Sequence, residues 1–118
     1  MPAKTTGFAS PALGYEEKTI DINAILVNNP AATYLWRLES GEMAALGLPC
    51  GSLLVVDRSR DPAYNTFVIL RHEGQFLCRM LIRKKGKAAF SNGVDEFPPI
   101  ANETEIIGVV TASIKQYP

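Results

Sequence analysis

A lone arginine interrupts the apolar stretch Phe76-Leu77-Cys78-Arg79-Met80-Leu81-Ile82. Alternation in an extended chain puts Arg79 on the face shared by Leu77 and Leu81. A guanidinium on a covered face needs a carboxylate or several carbonyl oxygens, because an unpaired buried charge costs several kcal/mol. If the face is only half covered, the stem can lie on the sheet and the head can stay in water. The residue pattern leaves both arrangements open. The other reactive groups are sparse. Cys50 and Cys78 lie far apart with no Cys-x-x-Cys, and His72 is the sole histidine. Two reduced cytosolic thiols are expected, with no disulfide and no metal site. Ser40 has no base beside it in sequence, and His72, next to Glu73-Gly74, reads as a surface residue at a hairpin tip. Arg83, Lys84, Lys85 and Lys87 cluster at one turn, which on a chain of zero formal net charge reads as a solvated tip before a phosphate site. There is no P-loop, no Gly-x-Gly-x-x-Gly and no metal-ligand spacing, so no cofactor is expected.

The elements that must position these groups are mostly strands. At 118 residues, with 47% hydrophobic and 20% charged residues, the chain suits one soluble domain. Residues 1–13 carry Pro2, Gly7 and Pro11 among small residues and read as an extended arm, leaving 14–118 as the domain. A short strand is expected around Thr19–Ile22, then a helical turn over Ala24–Asn28 ended by Pro30. Thr33–Leu38 is a strand with Tyr34, Trp36 and Leu38 on one face, and Glu42–Leu46 forms a helical turn between Gly41 and Gly47. Leu53–Asp57 is apolar enough for a strand covered on both faces. Thr66–His72 and Gln75–Ile82 flank Glu73-Gly74 as a hairpin. After the basic turn come a short strand, Ala88–Phe90, and a long loop marked by Asn92-Gly93 and Pro98-Pro99. Glu105–Lys115 is a long last strand. The longest apolar runs, Leu53–Val56 and Ile106–Val110, are too short for a bilayer span, and no secretion signal opens the chain, so a cytoplasmic location is expected.

Ordered motifs along this frame resemble those of the UmuD family. They are Phe8-Ala9-Ser10-Pro11-Ala12 with Tyr15, Ile20-Asp21-Ile22-Asn23, and Asn29-Pro30-Ala31-Ala32-Thr33-Tyr34. Leu53-Leu54-Val55-Val56-Asp57-Arg58-Ser59, Pro98-Pro99-Ile100 and Gly108-Val109-Val110-Thr111-Ala112 continue the likeness, from about Gly7 to Lys115. UmuD and LexA cut their own N-terminal segments with a serine nucleophile and a lysine base. The resemblance therefore implies a twisted, mainly antiparallel β fold of the LexA and UmuD C-terminal type, with one or two short helices.

The likeness breaks at the chemistry. The family's Gly-Asp-Ser-Met turn falls on Ser40-Gly41-Glu42-Met43, placing Glu42 at the nucleophile position, and the base falls on Arg79. The separation of positions 42 and 79 matches the family's serine-to-lysine spacing. Two further Gly-Asp dipeptides become Gly51-Ser52 and Asn65-Thr66. Arginine stays protonated and offers only donors, so Arg79 cannot serve as a general base, whereas a desolvated lysine can. Glu42 has no hydroxyl to acylate. The two can instead pair, turning a catalytic dyad into a structural bridge, with a bidentate contact expected. The family's self-cut precedes a glycine that corresponds here to Gly7, and Thr6-Gly7 departs from the usual Cys-Gly or Ala-Gly. Only six residues precede Gly7, so the chain is expected to start almost where a processed form starts.

What the resemblance implies is a non-catalytic, UmuD′-like accessory subunit of an error-prone translesion polymerase in the SOS response. Its expected partners are a Y-family polymerase subunit, a RecA filament or UmuD- and LexA-type proteins. No membrane and no sequence-specific DNA contact is expected. A regulator forming mixed dimers, or a Ser-Lys-type self-processing peptidase with an altered dyad, are the alternatives. The last strand has apolar residues on both faces, and an unprotected strand of that kind invites a second chain. Family members dimerise there, so an isologous homodimer through Ile106, Ile107, Val109, Val110 and Thr111 is expected.

Overall fold

The computed structural model describes residues 21–118, so the arm, Thr6-Gly7 and the first half of the expected strand around Thr19–Ile22 lie outside the described residues. The end of that expected strand is corrected. Asp21 is a helix N-cap, its Oδ1 accepting from the backbone N–H groups of Asn23 (3.0 Å) and Ala24 (3.3 Å), and Ile22–Leu26 is helix α1. A short carboxylate that satisfies two orphan N–H groups outweighs the β-propensity of Ile22. Pro30 ends the segment and starts a single 3-10 turn, Pro30–Ala32, that feeds the first strand.

Seven strands follow: β1 Thr33–Arg37, β2 Leu53–Asp57, β3 Thr66–His72, β4 Gln75–Lys84, β5 Lys87–Ser91, β6 Glu96–Phe97 and β7 Thr104–Ile114. They form one antiparallel sheet in the order β1-β2-β7-β3-β4-β5-β6. The fold is thus mainly antiparallel β, as the resemblance implies. Glu73 and Gly74 both have positive φ, as do Lys85 and Gly86, giving two tight hairpins whose backbone suits the strand twist. β6 is not foreseen within the expected long loop. Asn92 makes it: its Oδ1 accepts from Val94 N (2.9 Å) and Asp95 N (2.7 Å), which reverses the chain onto β5.

β7 lies inside the sheet, so its apolar character is explained without a second chain. Its first half ladders with β3 (Thr104 opposite His72 to Val109 opposite Val68), and its second half with β2 (Val109 opposite Asp57 to Ile114 opposite Leu53). Register shifts opposite Ile69/Leu70 and Val55/Val56 leave Ile107 and Thr111 as the extra residues. Such bulges bend a strand and increase its twist. Val109 is buried, while Ile106, Ile107, Val110 and Thr111 are half-buried.

Two cores result, following strand alternation. Leu38, Met43, Leu48, Leu54, Val56, Ile69 and Cys78 form one, and Val68, Leu70, Leu81, Phe90 and Val109 the other. Met43, fully buried, anchors the β1–β2 connection, whose expected helical turn is a 3-10 turn over Ala44–Leu46. The Asn92-Gly93 turn closes on this connection. A Cβ at Gly93 would meet Leu46 Cγ at 3.0 Å. His72 is not a surface residue: its side chain is 13% exposed, its ring lies 4.4 Å from that of Phe97, and Nδ1 is 2.6 Å from Thr104 Oγ1. Pairing of β3 with β7 and the return of β6 cover it. Among the described residues no helix is long and apolar enough to cross a membrane.

At the end of β2, buried Asp57 Oδ1 accepts from Ser59 N (2.8 Å) and Ser59 Oγ (2.6 Å), and Asn29 Nδ2 donates to Ser59 Oγ (3.0 Å). The side-chain and backbone hydrogen bonds from Ser59 hold the Asp57 carboxyl below its ordinary value. A depressed carboxylate stabilises the fold above its unfolded pKa and loses that contribution as pH falls through the lower folded one. Unfolding midpoints measured on lowering pH below the ordinary 3.8 should therefore drop, and Asp57→Asn should remove this part of the dependence. At Gly108 a Cβ would lie 2.7 Å from Val56 Cγ1 and 3.3 Å from Asp57 O. Gly108→Ala should cost about 1–3 kcal/mol in urea unfolding, since Val56 is fully buried and cannot give way.

Candidate functional site

The loop after β1 and the first half of β4 face each other across a cleft of about 480 Å³. Trp36, Leu38, Ser40 and Glu42 line one side, and Phe76, Cys78 and Arg79 the other. Two strand flanks border the cleft without a partner among the described residues. There β1 pairs only with β2, and β5 joins β4 no earlier than Met80, so Gln75–Arg79 has only β3 beside it. Phe76 is more than half exposed here. This lining could have been suspected from the aromatic at the start of an apolar strand, but nothing in the spacing shows that β5 stops short.

Glu42 and Arg79, 37 residues apart, meet in this cleft. Arg79 Nη2 donates to Glu42 Oε1, and Nη1 donates to the carbonyl of Cys78 at 2.8 Å. The expected bidentate clasp is corrected to a single carboxylate contact, because the other arm of the guanidinium is spent on its own strand. The Arg79 side chain is 12% exposed and the Glu42 side chain 50%, so the cation is largely withdrawn from water and the anion is not. Of the two arrangements open for Arg79, the partnered one is realised. Its parity puts it opposite Val68, between Leu77 and Leu81, as alternation requires.

The neighbouring groups are quiet. The Cys78 thiol is pushed up to about 12 by burial, against the pull of the Arg79 charge, and stays protonated at neutral pH. Cys50 is free and exposed on the Pro49–Gly51 turn. Ser40 Oγ accepts a long contact (3.4 Å) from the N–H of Glu42, a turn-closing role. Ser52, at one of the altered Gly-Asp sites, is buried and donates to Pro49 O at 2.6 Å. Asn65, at the other, takes a left-handed φ of 67° and enters β3 with its N–H on Leu81 O. The β7 residues Ile106, Ile107, Val109, Val110 and Thr111 belong to the sheet described above and not to this cleft.

The strand order and the paired positions in the cleft define a class of β proteins with a loop-borne residue set against a strand-borne cation. The chain matches the peptidase S24-like family over residues 3–111 and belongs to it. Among curated relatives, it is 37% identical to protein SamA of Salmonella typhimurium over 109 residues, covering 92% of this chain and 77% of SamA. Protein ImpA of Escherichia coli is 36% identical over 107 residues (89% and 74%), and protein MucA of Escherichia coli 31% over 119 residues (97% and 81%). These relatives are UmuD-family proteins.

The unequal exposure of the pair has a measurable consequence. Removing the carboxylate leaves a largely buried guanidinium with one carbonyl, whereas removing the guanidinium leaves a carboxylate that water can reach. Glu42→Ala should cost about 1–2 kcal/mol in urea unfolding, between the values for exposed and fully buried pairs. Arg79→Met, which keeps the apolar stem, should cost less.

Proposed function

We propose that the chain is a non-catalytic, UmuD′-like protein that serves as an accessory subunit of a translesion polymerase. Kinship with SamA, ImpA and MucA supports a UmuD-like role in error-prone DNA repair. The observation that carries the non-catalytic part is the Arg79–Glu42 pair. A serine nucleophile needs a neighbouring base able to take its proton, and a guanidinium held as a cation beside a carboxylate cannot take one. The carboxylate in turn has no proton to lose and no hydroxyl to attack with. Of the other nucleophilic side chains lining the cleft, the Cys78 thiol is held protonated and Ser40 Oγ accepts from the N–H of Glu42.

Dimerisation belongs to the same proposal. Among the described residues, Val110 to Ile114 of β7 are paired by β2 alone, and the other flank of that half-strand is where a second copy would add. Thr111 and Val110 on this half-strand are only half-buried. Antiparallel pairing of two such flanks is self-complementary, as a two-fold dimer requires.

The test uses the purified chain with a RecA filament assembled on single-stranded DNA, followed by intact mass spectrometry. Full-length protein should persist under conditions that process an active UmuD. A discrete cut near Thr6-Gly7 that disappears in Ser40→Ala would overturn the non-catalytic reading. Co-purification with a Y-family polymerase subunit should succeed for the wild-type chain, and its failure would overturn the partnership without touching the question of cleavage.

A further inference from the structure

A net charge of zero conceals a separation of charge along β4. At its far end, Arg83, Lys84, Lys85 and Lys87 crowd the β4–β5 hairpin, and the nearby carboxylate is Glu96, paired with Lys84. Four cations against one anion leave an excess of three positive charges. At the other end, Glu73, Glu103 and Glu105 gather around one cation, Arg71, which Glu105 engages. A strand of 10 residues separates the two ends by about 33 Å. That distance exceeds the Debye length of ~8 Å at physiological salt, so each end presents its own field.

The basic end is also a shaped surface. Lys84, Lys85 and Lys87 line a cavity of about 530 Å³ together with Glu96 and the apolar Ala88, Ala89, Phe97 and Pro98. Arg83, whose side chain strand alternation turns to the face of β4 opposite Lys84, sits 5.9 Å from the ring centre of Tyr64, which is 44% exposed; neither residue lines that cavity. Lysines beside apolar and aromatic groups, with a second cation–aromatic pair at the same hairpin end, match a ligand that carries phosphates and flat bases together. A strand of unpaired nucleotides has both, with its bases free to stack. A purely acidic peptide would use the lysines and leave the apolar groups and Tyr64 unengaged.

We propose that the β4–β5 hairpin end is a contact surface for single-stranded nucleic acid, with Lys85, Lys87 and Arg83 on phosphates and Tyr64 or the Phe97–Pro98 segment against a base. The surface lies outside the Glu42–Arg79 cleft, and the inference stands whether or not that cleft is inert.

The experiment is fluorescence anisotropy of a labelled oligothymidylate, roughly 20 nucleotides long, with the full chain across a salt series. Three phosphates neutralised should give a slope of log affinity against log salt of about −2. Lys85→Glu should weaken binding about tenfold or more at low salt, whereas Lys115→Glu, the same charge change just beyond the end of β7, should weaken it far less. Tyr64→Ala should weaken binding to the oligonucleotide by about five-fold and leave binding to inorganic polyphosphate unchanged. Circular dichroism should show all three variants folded. Equal losses in Lys85→Glu and Lys115→Glu would reduce the effect to net charge and overturn the proposal. So would tighter binding of polyglutamate than of the oligonucleotide, which would assign the surface to an acidic protein. Salt-dependent self-association without oligonucleotide binding would overturn it in favour of head-to-tail contact with the acidic end.

Discussion

The passage of β7 between β2 and β3 is the constraint on which the remaining geometry depends. β1 and β2, with the loop that carries Glu42, form one part of the sheet, and β3 to β6, with Arg79 on β4, form the other. In the sheet, β7 alone hydrogen-bonds to both. Gly108 lets it approach β2 within the space a methyl group would occupy against Val56, and the bulges at Ile107 and Thr111 turn it so that each half serves a different neighbour. The turn at Gly93, packed against Leu46, supports the same arrangement from the far edge of the sheet. Met43, sealed in the core next to Glu42, then fixes where the loop meets β4.

Within that frame the Glu42–Arg79 pair is better understood as an orienting contact than as a source of stability. Exposed ion pairs contribute little, and a half-buried one must offset the desolvation of its cation. Arg79 meets that cost by dividing its donors between a carboxylate and the Cys78 carbonyl, leaving the guanidinium satisfied on two sides. A lysine at the same place would have a compact ammonium with no planar fork and would be free to lose its proton when desolvated. Arginine at this position therefore differs from lysine far more in the proton chemistry open to it than in how its stem packs.

Strand positions were largely legible because alternation and turn chemistry agree along the chain. Leu53–Asp57 and Thr66–His72 fall where the apolar pattern puts them, β1 ends one residue short of expectation, and β7 is shifted by one residue at both ends. The pairing of positions 42 and 79 was legible only through the family likeness, since nothing local ties a loop glutamate to a strand arginine 37 residues on. Three features were hidden for physical reasons. β6 depends on the Asn92 side chain closing a turn, α1 depends on Asp21 capping two N–H groups, and the covering of His72 depends on contacts with Phe97 and Thr104. Each is a side-chain or tertiary effect that propensity does not encode.

The placement of β7 was the most instructive divergence, because two arrangements produce the same sequence signature. A strand apolar on both faces is required equally by a dimer interface and by a central position in a single sheet. The strand order puts β7 in the centre, yet its bulges hand each half to a different partner and leave the other flank of each half unpaired. One sequence pattern can therefore meet both demands, with Val109 committed to the core of the monomer and the flank beyond it open. On that flank the hydrogen-bonding groups of Val110–Ile114 have no strand partner among the described residues and must be satisfied by water or by another segment. At 11 residues against 5 for β2, β7 is long enough to ladder with β3 and β2 in turn.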